Sequence, residues 1–187
     1  IVNSKNTCNL QIYTSKIKEG GMDMQNVICR KAELSDLDAI LKIYNEGIED
    51  RIATLETEIK DVHFISDWFI KHQGRYQVIV AQSGEDVVGW VSLNPYNARQ
   101  AYAGVAELSI YIARSHRGKG IGSLLLKSAE RKAKEYGFHK IVLFTFIFNG
   151  LGQGLYRKFG YREVGVFLKQ GMMDGELVDV MAMEKLL

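Results

Sequence analysis

Two apolar runs, at residues 105–112 and 141–148, are separated in this chain by one glycine loop and one amphipathic helix. The loop reads Arg117-Gly118-Lys119-Gly120-Ile121-Gly122, and the helix behind it carries Ile121, Leu124, Leu125, Ala129, Ala133 and Tyr136 on one side. Two strands joined through a helix run parallel in one sheet with a right-handed crossover. The second run is apolar at almost every position, which suits a strand buried on both faces. A chain built around this unit is confined to an α/β fold.

The loop has a chemistry of its own. Glycines let the backbone come close to a ligand, and the first turn of a helix carries N–H groups without internal partners and a partial positive charge. A charge at such a helix end is worth about 0.3–1 kcal/mol when exposed and up to about 2 kcal/mol when partly buried. Several N–H groups together with Arg117 and Lys119 are therefore a candidate anchor for a diphosphate. The nucleotide-hydrolase loop needs Lys directly before Ser or Thr at the helix start, whereas here Gly122 precedes Ser123. The dinucleotide fingerprint needs a third glycine at 123 and an acidic residue about 20 positions on, where the chain reads Ile141-Val142-Leu143-Phe144. A turn that merely joins strand to helix is the plain alternative for this motif taken alone.

Period and punctuation supply the remaining elements. Residues 27–31 read as a first strand, and Ser35 with Asp38 forms a capping pattern before a helix bearing Leu37, Ile40, Leu41, Tyr44 and Ile48. A second helix is expected over 61–71, with Val62, Ile65, Trp68 and Phe69 on one face, and residues 50–60 form an exposed loop before it. Runs at 76–81 and 87–93, separated by Ser83-Gly84-Glu85-Asp86, predict an antiparallel hairpin. On the helix after the glycine loop, Glu130 and Lys134 stand in the favourable i to i+4 order on a solvated face. A short helix reaching Phe159 and a strand pair at 162–169 and 178–184 complete a mixed sheet of about seven strands flanked by about four helices.

One domain accounts for this pattern, over residues 27–187, with residues 1–26 read as a polar N-terminal extension in which Met22 and Met24 precede the first strand. The net charge of +2 gives no footprint for nucleic acid, and a small-molecule partner is expected. Cys8 and Cys29 are too few for a disulfide framework, and His63, His72, His116 and His139 fall in no metal-ligand spacing, so no metal is expected. No run of 18 apolar residues is present, which predicts a cytoplasmic protein without a membrane partner.

The succession of strand, Arg-x-x-Gly-x-Gly, helix, apolar strand, Asn149 and then Leu155-Tyr156-Arg157-Lys158-Phe159-Gly160-Tyr161 resembles the GNAT superfamily of acetyl-CoA-dependent N-acetyltransferases over roughly residues 27–187. The stretch from Arg99 through Tyr102, Glu107 and Ser109 to Ile112 is similar to the phosphinothricin acetyltransferase branch, whose members acetylate the α-amino group of small amino acids and analogues. Ile43-Tyr44-Asn45-Glu46, the loop Ala53-Thr54-Leu55-Glu56-Thr57-Glu58 and the C-terminal Asp174-Gly175-Glu176 also resemble that branch. Departures are Leu55, where the branch carries an aromatic, and Gly150-Leu151-Gly152, where it carries Ser or Pro-Ser.

The resemblance implies a GNAT fold, acetyl-CoA as co-substrate, a homodimer, and a role for each matching residue. Glu107 becomes the general base and Tyr156 the acid for the departing thiolate. Backbone groups of Ile110, Tyr111 and Ile112 bind the pantetheine arm and polarise the thioester, and Asn149 bonds pantetheine or the arriving chain. Arg117, Gly118, Lys119, Gly120, Ile121, Gly122 and Ser123 hold the diphosphate, while His116 is expected to be a solvated loop residue. Arg99 and Tyr102 are the candidates for the acidic or polar end of the acceptor. Alternatives are a polyamine, aminoglycoside or protein N-terminus as acceptor, served by Glu46, Glu49, Asp50, Glu56 and Glu58, or a non-catalytic CoA-binding module.

Overall fold

The computed structural model describes residues 26–72 and 74–187. Cys8, Met22, Met24 and the rest of the expected extension before Asn26 lie outside the described residues. Strand β1 (Val27–Lys31) leads through a short 3-10 turn, Leu34–Asp36, into α1 (Leu37–Glu49). The cap forms two residues earlier than the Ser35–Asp38 spacing predicts: Asp36 accepts from the Glu33 N–H at 2.8 Å, and Glu33 reciprocates as a capping box. Arg30 explains the shift, because it grips the Asp36 carboxylate with two hydrogen bonds of 2.7 Å and fixes residue 36 at the helix start.

Helix α2 (Val62–Lys71) starts behind Asp61, whose side chain accepts from the Phe64 N–H. Then follow β2 (Val78–Ser83), β3 (Asp86–Pro95), β4 (Val105–Ile112), α3 (Ile121–Glu135), β5 (Lys140–Phe146), α4 (Gly150–Lys158), β6 (Arg162–Met173) and β7 (Glu176–Leu186). The seven strands form one sheet in the order β1-β2-β3-β4-β5-β7-β6, antiparallel except between β4 and β5. Helices α1 and α2 cover one face around Ile40, Ile43, Ile65 and Trp90. On the other face α3 and α4 pack through Ile121, Leu125, Leu126, Ala129 and Tyr156 against Leu93, Leu143 and Met183.

The expected mixed α/β architecture is thus present, with local differences. Tyr136 follows the end of α3 and is exposed, and Leu126 takes the buried place instead. Glu130 pairs with Lys185 of β7 at 2.7 Å rather than with Lys134, because the rim of the sheet brings a lysine within reach of the helix. Strand β5 stops at Phe146, and the apolar Ile147 and Phe148 are exposed in the turn to α4. The last hairpin is longer than expected, since Asp174 and Gly175 both adopt positive φ (51° and 87°) and close a turn that lets the ladder run on to Met173 and Glu176.

Burial alone would raise the Asp36 pKa, but its hydrogen bonds from Arg30 and the Glu33 amide hold it below the usual carboxylate range. Its contribution is therefore complete above the unfolded carboxyl pKa of about 3.9 and is lost as pH falls through the lower native value. Asp36→Asn should lower the unfolding free energy at pH 7 by about 1–3 kcal/mol in urea titrations. The difference from the wild type should shrink as the titrations are repeated towards pH 2.

Candidate active site

Strands β4 and β5 pair at only three positions, Val105↔Lys140, Ala106↔Ile141 and Glu107↔Val142. Beyond Glu107 they part: β5 stays paired to β7 as far as Phe146, and β4 stays paired to β3 as far as Ile112. From Leu108 onward the β4 backbone groups directed towards β5 have no ladder partner. The cleft between the two halves of the sheet holds two cavities.

The larger, a groove of about 430 Å³, is walled by Ile110, Tyr111 and Ile112, by the glycine loop at the start of α3, and by the first turns of α4. The smaller, a pocket of about 190 Å³, is lined by Glu107, Ser109, Thr54, Leu55, Phe144 and Phe146, among others. Ala53, Ile110, Tyr111, Asn149 and Tyr156 line both. Molecules entering from the two sides would meet at these residues.

Gly120 immediately precedes α3 with φ 85°, a conformation that any side chain would strain. The Ser123 N–H is engaged by the Gly120 carbonyl at 3.0 Å. The Ile121 and Gly122 N–H groups, as the first two of the helix, have no intrahelical acceptor, and both residues line the groove. A Cβ on Gly122 would lie 2.9 Å from Leu155 Cδ2, so the missing side chain is what lets α4 approach α3 and narrow the groove.

Arg117 lines the groove, but its guanidinium is engaged with Asp50 at 2.5 Å and with the Ile112 carbonyl at 3.1 Å. It acts as a strut between the loop, β4 and the end of α1. Lys119 is not among the groove residues, whereas His116, expected to be merely solvated, is one of them. Asn149 caps α4, accepting from the Gly152 N–H at 3.0 Å and donating to Thr145 Oγ1 at 3.2 Å.

Glu107 is half-buried in the pocket, and burial raises its carboxyl pKa. Tyr156 is buried between groove and pocket, and burial pushes its phenol far up, so it stays protonated at neutral pH. The loop after α1 roofs the pocket. Asn45 binds the Lys60 backbone at both ends (2.8 and 2.9 Å), Arg51 reaches Asp174 of the β6–β7 turn at 3.1 Å, and Leu55 sits against Gly171. Arg99 and Tyr102 lie on an exposed turn after β3 and line neither cavity, because the 3-10 turn Gln100–Tyr102 carries them past the end of the strand. Among the pocket residues that were not singled out for a role, Ser109 was legible two positions after Glu107 on the same strand face. Thr54 lies in the loop that resembles the phosphinothricin branch, and Phe144 carried no comparable signal.

A backbone-walled groove ending at a helix N-terminus, joined to a pocket with one carboxylate and one protonated phenol, defines a group transferase working from a phosphorylated carrier. Comparison with known proteins makes the class specific. The model of the acetyltransferase (GNAT) family matches residues 38–161. A candidate phosphinothricin acetyltransferase of Bacillus subtilis, YwnH, is 37% identical over 152 residues, covering 81% of this chain and 93% of that protein. The L-methionine sulfoximine/L-methionine sulfone acetyltransferase of Pseudomonas aeruginosa is 28% identical over 157 residues, covering 83% and 91%. The crystal structure of a GNAT superfamily phosphinothricin acetyltransferase from Sinorhizobium meliloti in complex with AcCoA superposes with a TM-score of 0.82 at 27% identity, covering 87% of this chain and 89% of that one. The chain belongs to the GNAT acetyltransferase family and is an acetyl-CoA-dependent N-acetyltransferase.

Among the described residues no group of three or more His, Cys, Asp and Glu side chains could hold a metal ion, and no helix is long and apolar enough to cross a membrane. Gly120→Val should raise the acetyl-CoA dissociation constant about tenfold or more in calorimetry, since strain of about 1–3 kcal/mol falls on the loop itself. Native affinity in this variant would contradict the assignment of the loop.

Proposed function

We propose that the acceptor is the α-amino group of a small amino acid or amino-acid analogue, of the phosphinothricin class, with Glu107 and Tyr156 carrying the proton transfers. The observation that carries this reading is the pocket's single carboxylate: among the described residues Glu107 is the one acid lining it, and no lysine, arginine or histidine does. An ammonium group at Glu107 has one place to lose its proton. A polycationic acceptor would need clustered acids, yet Glu49 and Asp50 are engaged with Arg114, Glu46 with the Arg114 N–H, and Glu56 with Lys60, and neither they nor Glu58 line the pocket. The relatives named for phosphinothricin and methionine sulfoximine point to the same acceptor class.

An alkylammonium with a pKa near 10 loses about 4 kcal/mol of reactivity at pH 7 by staying protonated. Glu107 takes that proton, directly or through a water molecule, and the freed nitrogen attacks the thioester carbonyl. The unpaired β4 amides beyond Glu107 supply donors for the negative charge that develops on the carbonyl oxygen. As the carbon–sulfur bond breaks, Tyr156 gives its proton to the departing thiolate, the acylated nitrogen gives up its second proton, directly or through water, to restore the phenol, and the proton held by Glu107 returns to solvent. The phosphates lie against the N–H groups at the start of α3, and Arg117 and Asp50 hold the loop in place for them.

The same reading takes residues 27–187 as the catalytic domain and residues 1–26 as an extension. It also makes the protein a cytoplasmic homodimer. The Cys29 thiol is free, and burial, against a smaller opposing effect of Arg131, pushes its pKa up to about 11, which keeps it protonated at neutral pH. Strand β6 leaves Val166, Phe167 and Leu168 exposed at the outer edge of the sheet, an apolar surface that a second copy would cover.

Glu107→Gln should lower kcat/KM at pH 7 by about 10² or more while leaving acetyl-CoA affinity unchanged. In the wild type, activity requires deprotonated Glu107 and is lost as pH falls through a pKa raised above the ordinary glutamate value, so the acid limb of the kcat/KM profile should lie higher than for an exposed carboxylate. An unchanged rate in the variant would remove Glu107 from the chemistry.

A further inference from the structure

Beside the acceptor pocket, on the same face of β4, lies a second chamber of about 70 Å³ enclosed by the rings of Tyr44, Phe64, Trp68, Trp90 and Tyr111. The rings are packed as a connected set. Trp90 lies 4.6 Å from Tyr111 and 5.4 Å from Trp68, and Tyr44 meets Tyr111 edge-on at 5.0 Å. Ser109 and Tyr111 line both this chamber and the acceptor pocket. Since Glu107, Ser109 and Tyr111 alternate along one strand, an acceptor with its amine at Glu107 has the aromatic chamber two residues further along the same face.

The polar groups of the chamber are already committed. Asn94 Oδ1 accepts from Ser92 Oγ at 3.1 Å and lies 2.7 Å from His72 Nε2, while its amide nitrogen donates to the Glu107 carbonyl at 3.3 Å and to Ser109 Oγ at 3.2 Å. The Trp90 indole N–H donates to the Ile40 carbonyl. Ring faces make up most of the wall that a ligand would meet. Such faces also attract cations, but Lys60 Nζ already sits 5.2 Å from the Phe64 ring centroid, which sets a positive charge at the rim against a second one. The volume is about half that of a cavity of about 150 Å³ that admits benzene, so the chamber has room for a short tail and not for a ring.

We propose that this chamber is the side-chain subsite of the acceptor, taking a short tail without positive charge on an α-amino acid whose amine lies at Glu107. The inference rests on the acceptor class proposed above and adds to it the chemistry of the non-reacting end. Phe64 and Trp68 set the depth of the subsite from α2, and neither touches the reacting atoms.

The test measures kcat/KM at saturating acetyl-CoA for alanine, 2-aminobutyrate, norvaline, norleucine and 2-aminoheptanoate, with ornithine as the charged counterpart of norvaline. The wild type should gain about fourfold per added methylene until the chamber is full and then fall, and ornithine should be at least tenfold poorer than norvaline. Trp68→Ala should move the optimum to a longer tail with the KM for acetyl-CoA unchanged. Phe64→Ala, which removes a partly exposed ring, should shift it the same way and serves where Trp68→Ala fails to fold. Turnover with the same chain-length profile in wild type and variants, or ornithine matching norvaline, would overturn the subsite while leaving the acceptor class standing. No thiol release with any of these amino acids would remove the acceptor class and the subsite together.

Discussion

The parting of β4 from β5 after Glu107 is the feature on which the rest of the molecule depends. A buried backbone amide without a partner costs about 1–3 kcal/mol, so a strand that drops its ladder in mid-sheet needs another acceptor or open water along that edge. Here β5 loses nothing, because β7 pairs with all seven of its residues from Lys140 to Phe146. Helix α3 spans the break from behind, its Leu125 and Leu126 sharing one core with strands from both halves of the sheet. The result is a stable sheet with a recognition edge inside it.

Two adjacent residues then tie the roof to both walls. Asp50 at the end of α1 binds Arg117 and Arg114 of the glycine-loop side, while Arg51, turned by a positive φ of 56°, reaches the opposite way to Asp174. Ion pairs near the surface, such as those of Arg114 and Arg51, add little to stability. Their effect is positional: Ala53, three residues beyond Asp50, lies where groove and pocket meet, and Thr54 and Leu55 after it wall the pocket. Carrier and acceptor sites are therefore connected through one short segment of chain.

Much of this is legible in the amino-acid sequence alone. The glycine loop between two apolar runs required a parallel crossover, and the run over 105–112 put the Glu107 carboxylate on the strand before the loop. The parting of the strands was implied only by the family resemblance, because no hydrophobic period tells a paired edge from an open one. Arg117 read as a free cation, since the acid that holds it, Asp50, lies 67 residues earlier and only the fold brings them together. Arg99 and Tyr102 were nominated by charge and motif, and the turn that carries them out of the cleft has no strong signature. The aromatic chamber was hidden for a similar reason: its five rings come from four separate elements.

Amide hydrogen exchange followed by NMR, with and without acetyl-CoA, tests the open edge most directly. In the free protein the β4 amides between Leu108 and Ile112 that point towards β5 should exchange much faster than those paired with β3, and acetyl-CoA should protect them together with the Ile121 and Gly122 amides. Slow exchange along that edge in the free protein, or protection by acetyl-CoA confined to another part of the molecule, would contradict it.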